Sequence, residues 1–347
     1  MTIQSPVMNQ HQSATAGSVL EVVPRNEVTD DELRDQLRNI PKAELHLHLG
    51  GAIPEPLIRQ WMDESQNIQL TDLLNEVREG THYDTVFQKV FPLIGSVINS
   101  PERVEKGVVE LCKQLAADGT KQVELRTGLK DFGSGHEEYL KAVLEGMKRG
   151  RQEHDVDCRL LVSVRRDTSS EVAQISAQLA YDYRHSGIVG MDLSGHSTTG
   201  DASGVLEALM WARSQHLPIA LHLGESPEET PFQQMRELVL LNPKRLGHCV
   251  HLCDEAKAWI KRNRTPMEMC LHSAFMTGMV HKIEDHPLLG WLHDGHPVIP
   301  GTDDPLLFGA WMTDELFHLA KLTGKTVEQI QEHQELILRE SFFPVHS

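Results

Sequence analysis

The chain has 347 residues, of which 39% are hydrophobic and 24% charged; this composition is typical of a globular protein with a large core. Its 33 basic and 50 acidic residues give a formal net charge of −17, and such an acidic chain favours neither nucleic acid nor a membrane surface as a partner. The five cysteines form no CxxC pair, no secretory signal pattern opens the chain, and no apolar run has transmembrane length, so we expect a cytoplasmic protein.

The N-terminal part of the chain separates into a tail and a first helix. Residues 1–28 are rich in Gln, Ser, Thr, Ala and Val without periodicity, which predicts a poorly ordered tail. A helix is predicted over residues 29–40, with Thr29 as its N-cap and acidic residues in its first turn.

From Pro41 onward, short apolar runs alternate with longer amphipathic stretches. The apolar runs predict strands at residues 43–48, 122–128, 158–164, 188–193, 218–222, 245–250, 266–271 and 297–301. The amphipathic stretches predict helices at residues 137–153, 170–185, 202–215, 231–241, 255–262, 287–293, 311–322 and 327–340. A longer helical region, residues 54–117, is inserted after the first strand and is our candidate for a mobile lid.

Strands that alternate with helices predict a parallel sheet, and eight strands are the number that closes a (β/α)8 TIM barrel. A doubly wound open sheet is the structural alternative, but no GxGxxG follows the first predicted strand. We therefore predict an α/β protein with a single barrel domain over residues 29–347.

Polar residues end several of the predicted strands. His46 and His48 alternate along the first strand, so both imidazoles face the same side. His222 ends the fifth strand, His248 lies in the sixth, and Asp303 follows the eighth. Barrel enzymes assemble their sites at this end of the strands, and histidine with aspartate suits a borderline metal such as Zn²⁺.

Six segments resemble the signature segments of the adenosine deaminase family, in order along residues 41–344. They are HLHLGGA at 46–52, MDLSG at 191–195, HLGE at 222–225, RLGH at 245–248, CLHSAFMTG at 270–278 and GTDDP at 301–305. The resemblance implies an amidohydrolase-type barrel that hydrolytically deaminates an adenine-type purine, giving the 6-oxo purine and ammonia.

The resemblance also implies roles for individual residues. One Zn²⁺ per chain would be bound by His46, His48, His222 and Asp303. His248 would hold the attacking hydroxide while Glu225 protonates ring nitrogen N1, which requires a carboxyl pKa raised by burial. The substrate ring would contact His48, the side chain of Asp304 at N7, and the backbone N–H of Gly195 at N3.

Three positions depart from the family pattern. Gly50 stands where the family commonly has an acidic or amide side chain that reaches the ribose 5′-hydroxyl, which leaves room for a 5′-modified nucleoside, a free base or another ring. His196 stands at a usual aspartate and could change ring recognition. His272 could contact substrate or only pack at the barrel mouth.

Three arginines near the ends of the second and third strands, Arg126, Arg165 and Arg166, fit two interpretations. They could bind a phosphate or carboxylate of the substrate, or they could form buried ion pairs inside the barrel.

Two other functions remain open at this point. A related barrel amidohydrolase would open a lactam or ester, but many of those carry two metals bridged by a modified lysine at the end of the fourth strand, and residues 191–195 contain no lysine. A non-catalytic binding relative is the other alternative, although the full set of ligands, acid and orienting histidine is present.

Overall fold

A computed structural model describes residues 28–80, 83–199 and 202–343 of the chain. The predicted N-terminal tail, apart from Val28, lies outside the described residues. Among the described residues, no helix combines the length and the apolar character that crossing a membrane requires.

Eight parallel strands form one sheet in which neighbours in sequence are neighbours in space. The strands are β1 Lys42–His48, β2 Thr120–Gly128, β3 Asp157–Arg165, β4 Ile188–Ser194, β5 Ile219–Leu223, β6 Arg245–His248, β7 Met267–Met269 and β8 Val298–Pro300. The predicted TIM-barrel fold is confirmed, and every predicted strand is present.

The barrel closes between β1 and the segment that follows β8. Leu47 and Asp303 form a parallel bridge, in which the backbone N–H of His48 donates to the carbonyl of Asp303 at 2.9 Å. The N–H of Asp303 donates in turn to the carbonyl of His46, also at 2.9 Å. Closure therefore places the Asp303 carboxylate beside the two histidines of β1.

Two strands end two residues earlier than the sequence predicts. We expected the sixth strand over residues 245–250, but it ends at His248, and His248 and Cys249 have left-handed φ angles of 63° and 56° that turn the chain out of the extended conformation. We expected the seventh over residues 266–271, but a helix begins at Leu271. Both predictions were wrong because apolar residues continue past the strand into the buried loops.

Helices surround the barrel and connect its strands. They are α1 Asp30–Asn39, α2 Glu55–Trp61, α3 Glu64–Arg78, α4 Tyr83–Thr85, α5 Phe91–Val97, α6 Pro101–Ala117, α7 His136–His154, α8 Ser170–Asp182, α9 Ser203–Ser214, α10 Pro231–Leu241, α11 Asp254–Asn263, α12 Leu271–Met276, α13 Leu288–His293, α14 Pro305–Phe308, α15 Met312–Thr323 and α16 Val327–Ile337. A π-helical turn, Val86–Val90, joins α4 to α5, and short 3-10 turns cover Leu49–Gly51, Ile283–Asp285 and Leu338–Glu340.

Local signals set the ends of these helices. Thr29 caps α1 as predicted, because its hydroxyl accepts from the N–H of Glu32 while the Glu32 carboxylate accepts from the N–H of Thr29. The predicted helical region over residues 54–117 contains α2 to α6. Its middle part, Tyr83–Val97 with the π-helical turn inside it, contributes side chains to a cavity at the barrel mouth.

Candidate active site

The polar residues that end β1, β5 and β6 and follow β8 meet in one buried cluster. The imidazole centroid of His46 lies 4.8 Å from that of His222 and 4.9 Å from that of His248. Nε2 of His48 lies 3.0 Å from Nε2 of His222. Potential ligand atoms of His46, His222, His248 and Asp303 all lie within 4.8 Å of one another. The structure therefore brings the five predicted residues of this cluster together.

Asp303 has a strained backbone at the centre of this cluster. Its φ angle is 62°, a conformation that costs a non-glycine residue of order 1 kcal/mol and is held by the bridge to β1. Oδ1 lies 3.5 Å from Nε2 of both His46 and His48, and the hydroxyl of Ser273 donates to Oδ2 at 2.6 Å. The strain thus aims the carboxylate at the histidines.

Buried carboxylates orient two of the imidazoles. Nδ1 of His46 lies 2.8 Å from Glu268 Oε2, and Nδ1 of His222 lies 3.0 Å from Asp192 Oδ1. A histidine whose Nδ1–H donates to a carboxylate presents Nε2 to a metal as a free lone pair. Nε2 of His46 is buried and makes no hydrogen bond within the described part of the chain, so the donor set fits a cation.

The two carboxylates belong to an ion network inside the barrel. Arg126 pairs with Asp192 at 3.1 Å and with Glu268, and Arg245 pairs with Glu268 at 2.6 Å and with Glu124; all of these side chains are buried. Burial acts to raise the pKa of Asp192, but the charges of His222 and Arg126 outweigh it and keep the pKa below its ordinary value. Asp192 therefore stays ionised beneath the cluster.

Glu225 stands next to the cluster as a buried acid. Its Oε1 lies 3.2 Å from Nε2 of His248, and its Oε2 accepts a hydrogen bond of 3.0 Å from the hydroxyl of Tyr83. Burial raises the pKa of the Glu225 carboxyl to about 8, with further contributions from nearby carboxylates. In the absence of a metal charge, this carboxyl carries a proton at neutral pH, as a general acid must.

Residues 41–347 match the family model described as adenosine deaminase. The chain belongs to the adenosine deaminase family. The predicted family is confirmed, and so is the predicted enzyme class, a hydrolase of the deaminase type.

Two curated relatives align with this chain along most of their length. The chain is 31% identical over 308 residues to a Danio rerio protein named N6-Methyl-AMP deaminase, covering 84% of this chain and 88% of that one. It is 28% identical to an Enterococcus faecalis protein named adenosine deaminase, covering 82% and 87%.

Solved structures give the same result for the fold. The structure of Arabidopsis ADAL complexed with GMP superposes with a TM-score of 0.82 at 27% identity, over 90% of this chain and 95% of that chain. An amidohydrolase from Burkholderia ambifaria, at 16% identity and a TM-score of 0.73, shares the fold.

Several residues of this family site carry no motif of their own in the sequence. Tyr83 lies in the helical region after β1, where only a helix was predicted, and nothing in its spacing indicates contact with Glu225. Glu268 offered one signal, a charged residue between the apolar neighbours of a short buried strand. Ser273 lies within the segment CLHSAFMTG at 270–278, next to His272, which the sequence analysis named as a possible substrate contact.

The two histidines that depart from the family pattern contact acidic residues. Nε2 of His196 lies 2.6 Å from Asp84 Oδ1 in α4, and its ring packs against that of Tyr83 with centroids 4.8 Å apart. Nδ1 of His272 lies 2.8 Å from Glu315 Oε1, and the same carboxylate accepts from the N–H of His272. His272 thus packs against α15, and Ser273 lines the cavity in its place.

The three arginines divide between the two interpretations. Arg126 and Arg166 are buried in ion pairs, Arg166 with Glu237 at 2.9 Å, so both are structural. Arg165 is about half-exposed, pairs with Asp167 at 2.9 Å and lines the cavity.

Asp304 packs against the chain turn that follows β1. A Cβ at Gly51 would lie 1.8 Å from Asp304 Oδ1, so only glycine permits this approach. Oδ1 of Asp304 is buried and makes no hydrogen bond to the described residues. Burial, together with the charge of Asp303, raises the pKa of Asp304 well above its ordinary value and so favours the neutral carboxyl, the form that can donate.

A cavity of about 340 Å³ opens beside the cluster, a volume that suits a small-molecule ligand. Its polar lining includes His48, Glu225, Asp303 and Asp304, together with Gly195 at the end of β4. Its apolar lining includes Phe87, Phe91, Ile98, Leu129 and Val172. The cavity therefore offers both a polar centre and an apolar wall to a flat aromatic ring.

Proposed function

We propose that this enzyme holds one Zn²⁺ and hydrolyses the C6–N bond of an adenine-type purine, releasing the 6-oxo purine and an amine. The observation that carries the proposal is the convergence of imidazoles, two of them with Nδ1 fixed by buried carboxylates, beside the protonated Glu225. The family to which the chain belongs supports the same reaction.

Four residues are the proposed zinc ligands: His46, His48, His222 and Asp303. Bound zinc supplies hydroxide at neutral pH, because it lowers the pKa of its water to about 7. The tightest set of potential ligand atoms contains His248 instead of His48. We assign His248 to the attacking oxygen, since its Nε2 also lies 3.2 Å from the acid Glu225, and His48 to the metal, since its Nε2 converges with that of His222.

Glu225 is the proposed proton donor to N1 of the ring. Because Tyr83 donates to Oε2, the proton of the neutral carboxyl is placed on Oε1, the oxygen that faces His248. Addition of hydroxide at C6 requires N1 to accept this proton, which leaves Glu225 ionised. The proton of the new C6 hydroxyl then passes to the exocyclic nitrogen, so that the C6–N bond breaks with release of a neutral amine and the C6 oxygen becomes the 6-oxo group. The neutral Asp304 carboxyl is the proposed donor to N7 and the backbone N–H of Gly195 the proposed donor to N3.

The leading candidate substrate is N6-methyl-AMP, for which the first relatives are named. Gly50 lines the cavity, and no atom lies within 4 Å of where its Cβ would stand. The space that the family commonly fills with a contact to the ribose 5′-hydroxyl is therefore open to a larger 5′ group. Adenosine is the second candidate, because bacterial relatives carry that name.

The test is release of the 6-oxo purine and amine by zinc-loaded protein from N6-methyl-AMP, AMP, N6-methyladenosine, adenosine and adenine. Glu225→Gln is the blank, and we expect it to lose roughly 10²- to 10⁴-fold in kcat while binding the same amount of zinc. Turnover that survives in Glu225→Gln, or two zinc ions per chain, would contradict the proposal. The second result would favour the amidohydrolase alternative.

A further inference from the structure

Lys130 is a partly buried cation that forms no ion pair with the described residues. It follows β2 and lines the cavity, and its Nζ donates to the carbonyls of Gly95 and Ile98, each at 3.2 Å. Within the described ranges no carboxylate lies within 4.0 Å of it, and burial lowers its pKa to about 8. Removing an ammonium group from water without an anionic partner costs free energy. An anionic group of the ligand next to Lys130 would offset this cost.

Acidic and basic side chains that line the cavity have different contacts. The acidic ones, Glu225, Asp303 and Asp304, belong to the proposed metal cluster or stand next to it. The basic Lys130 and Arg165 make no contact with the cluster among the described residues, and the Asp167 that pairs with Arg165 is not a lining residue. In a chain of net charge −17, this basic pair is a local exception that favours an anionic part of the ligand.

The other lining arginine, Arg126, does not share this role. Arg126 is fully buried and its charge is balanced by Asp192 and Glu268. The positive charge that remains available to a ligand is therefore that of Lys130, together with that of Arg165, which also lines the cavity. Gly50 supplies the free space that an added group on the ligand needs.

We propose that Lys130, assisted by Arg165, binds the 5′-phosphate of a purine nucleotide, so that this site selects nucleoside 5′-monophosphates over nucleosides. This inference rests on the proposed function, because it places the purine ring at the metal cluster. A phosphate dianion accepts charge-assisted hydrogen bonds from lysine and arginine, and it would keep Lys130 protonated.

The test is calorimetric binding of inosine 5′-monophosphate and of inosine to the zinc-loaded enzyme, compared as a ratio of affinities. We expect the nucleotide to bind roughly 10- to 100-fold more tightly, and Lys130→Met to remove most of that ratio. Lys148→Met is the matched control, because Lys148 is exposed, pairs only with Glu145 among the described residues, and removes the same charge from the chain. We expect the control to keep the wild-type ratio.

Lys130→Arg is the conservative variant that separates loss of charge from loss of the fold. Because it keeps the positive charge, it should retain much of the preference for the nucleotide over the nucleoside. A wild-type ratio near one, or an equal ratio in the wild type and Lys130→Met, overturns the inference. If neither 6-oxo purine binds and no adenine-type substrate is turned over, the proposed function has failed, and ribose 5-phosphate then tests the anion site alone. Binding of this probe that is lost in Lys130→Met supports the site, and absence of binding overturns it.

Discussion

At the scale of single residues, the site depends on protonation states that burial alone does not determine. The carboxyl of Glu225 is neutral because it is buried, yet it also accepts a hydrogen bond from Tyr83, which favours its ionised form. Its pKa is the balance of these opposing effects. Tyr83 is thus a positioning residue for the acid: it fixes which oxygen carries the proton and moderates how firmly the proton is held.

Tyr83→Phe should lower kcat roughly 2- to 10-fold, the net value of one hydrogen bond, with a smaller effect on KM. The active carboxyl is the protonated one, so activity falls as the pH rises through the pKa of Glu225. Because the lost hydrogen bond favoured the carboxylate, the pKa rises in the variant and the alkaline loss of activity moves to higher pH.

The measurement is the pH profile of kcat for the wild type, Tyr83→Phe and the control Tyr139→Phe. Tyr139 is also buried at the cavity, but its hydroxyl contacts Thr127 at 2.7 Å and not Glu225. An alkaline limb that stays in place in Tyr83→Phe, or that moves equally in Tyr139→Phe, would show that Tyr83 does not act on the acid.

At the scale of the elements, four strands share the proposed metal site. β1 and β5 supply His46 and His222, while β4 and β7 supply the carboxylates that hold the Nδ1 atoms of those histidines. The barrel makes this possible, because the inward-facing side chains of its strands pack in layers across the interior. The buried arginines then neutralise carboxylates that would otherwise repel one another.

Asp192→Asn should weaken zinc binding about 10- to 100-fold, because an amide holds the imidazole of His222 less well than a carboxylate. Glu237→Gln is the matched control: Glu237 is also a buried partner of an arginine, Arg166, but it contacts no imidazole of the cluster. The measurement is competition for zinc with a chromophoric chelator. Equal loss of zinc affinity in both variants would mean that the effect is general destabilisation.

The segment Tyr83–Val97 covers the cavity through Tyr83, Phe87 and Phe91. If it is the moving part of the lid that the sequence predicts over residues 54–117, bound inosine 5′-monophosphate should slow hydrogen exchange of its backbone amides, since opening would then cost the contacts with the ligand. α13, Leu288–His293, contributes no lining residue and serves as the internal control. Unchanged exchange in Tyr83–Val97 on binding would rule out the lid.

At the scale of the whole molecule, the predictable features were those with a repeating pattern. Alternation of apolar runs with amphipathic stretches predicted the barrel. Polar residues at strand ends predicted that His46, His222 and Asp303 belong to one site. The predicted ends of β6 and β7 were wrong because the sequence pattern shows neither left-handed residues after a strand nor a buried helix that begins at Leu271. Tyr83 and Glu268 reach the site from sequence-distant elements, and only the folded chain shows their contacts.

The proposed metal would also stabilise the barrel. Nε2 of His46 is buried without a partner among the described residues, a bound cation would satisfy it, and a ligand that binds the folded state alone stabilises that state. At a free zinc concentration about 100 times the dissociation constant, the gain in the free energy of unfolding is about 2.7 kcal/mol. With an unfolding entropy of roughly 2.1 cal/mol/K per residue over 347 residues, this gain corresponds to about 4 °C in Tm.

Chelation should therefore lower Tm by about this amount, and added zinc should restore it. The measurement is calorimetry at a fixed scan rate on chelated and zinc-titrated protein. Asp303→Asn is the informative variant, because it keeps the backbone bridge to Leu47 that closes the barrel but removes one proposed ligand charge. Its Tm should respond much less to zinc, whereas a full response would mean that the metal stabilises the barrel through other residues.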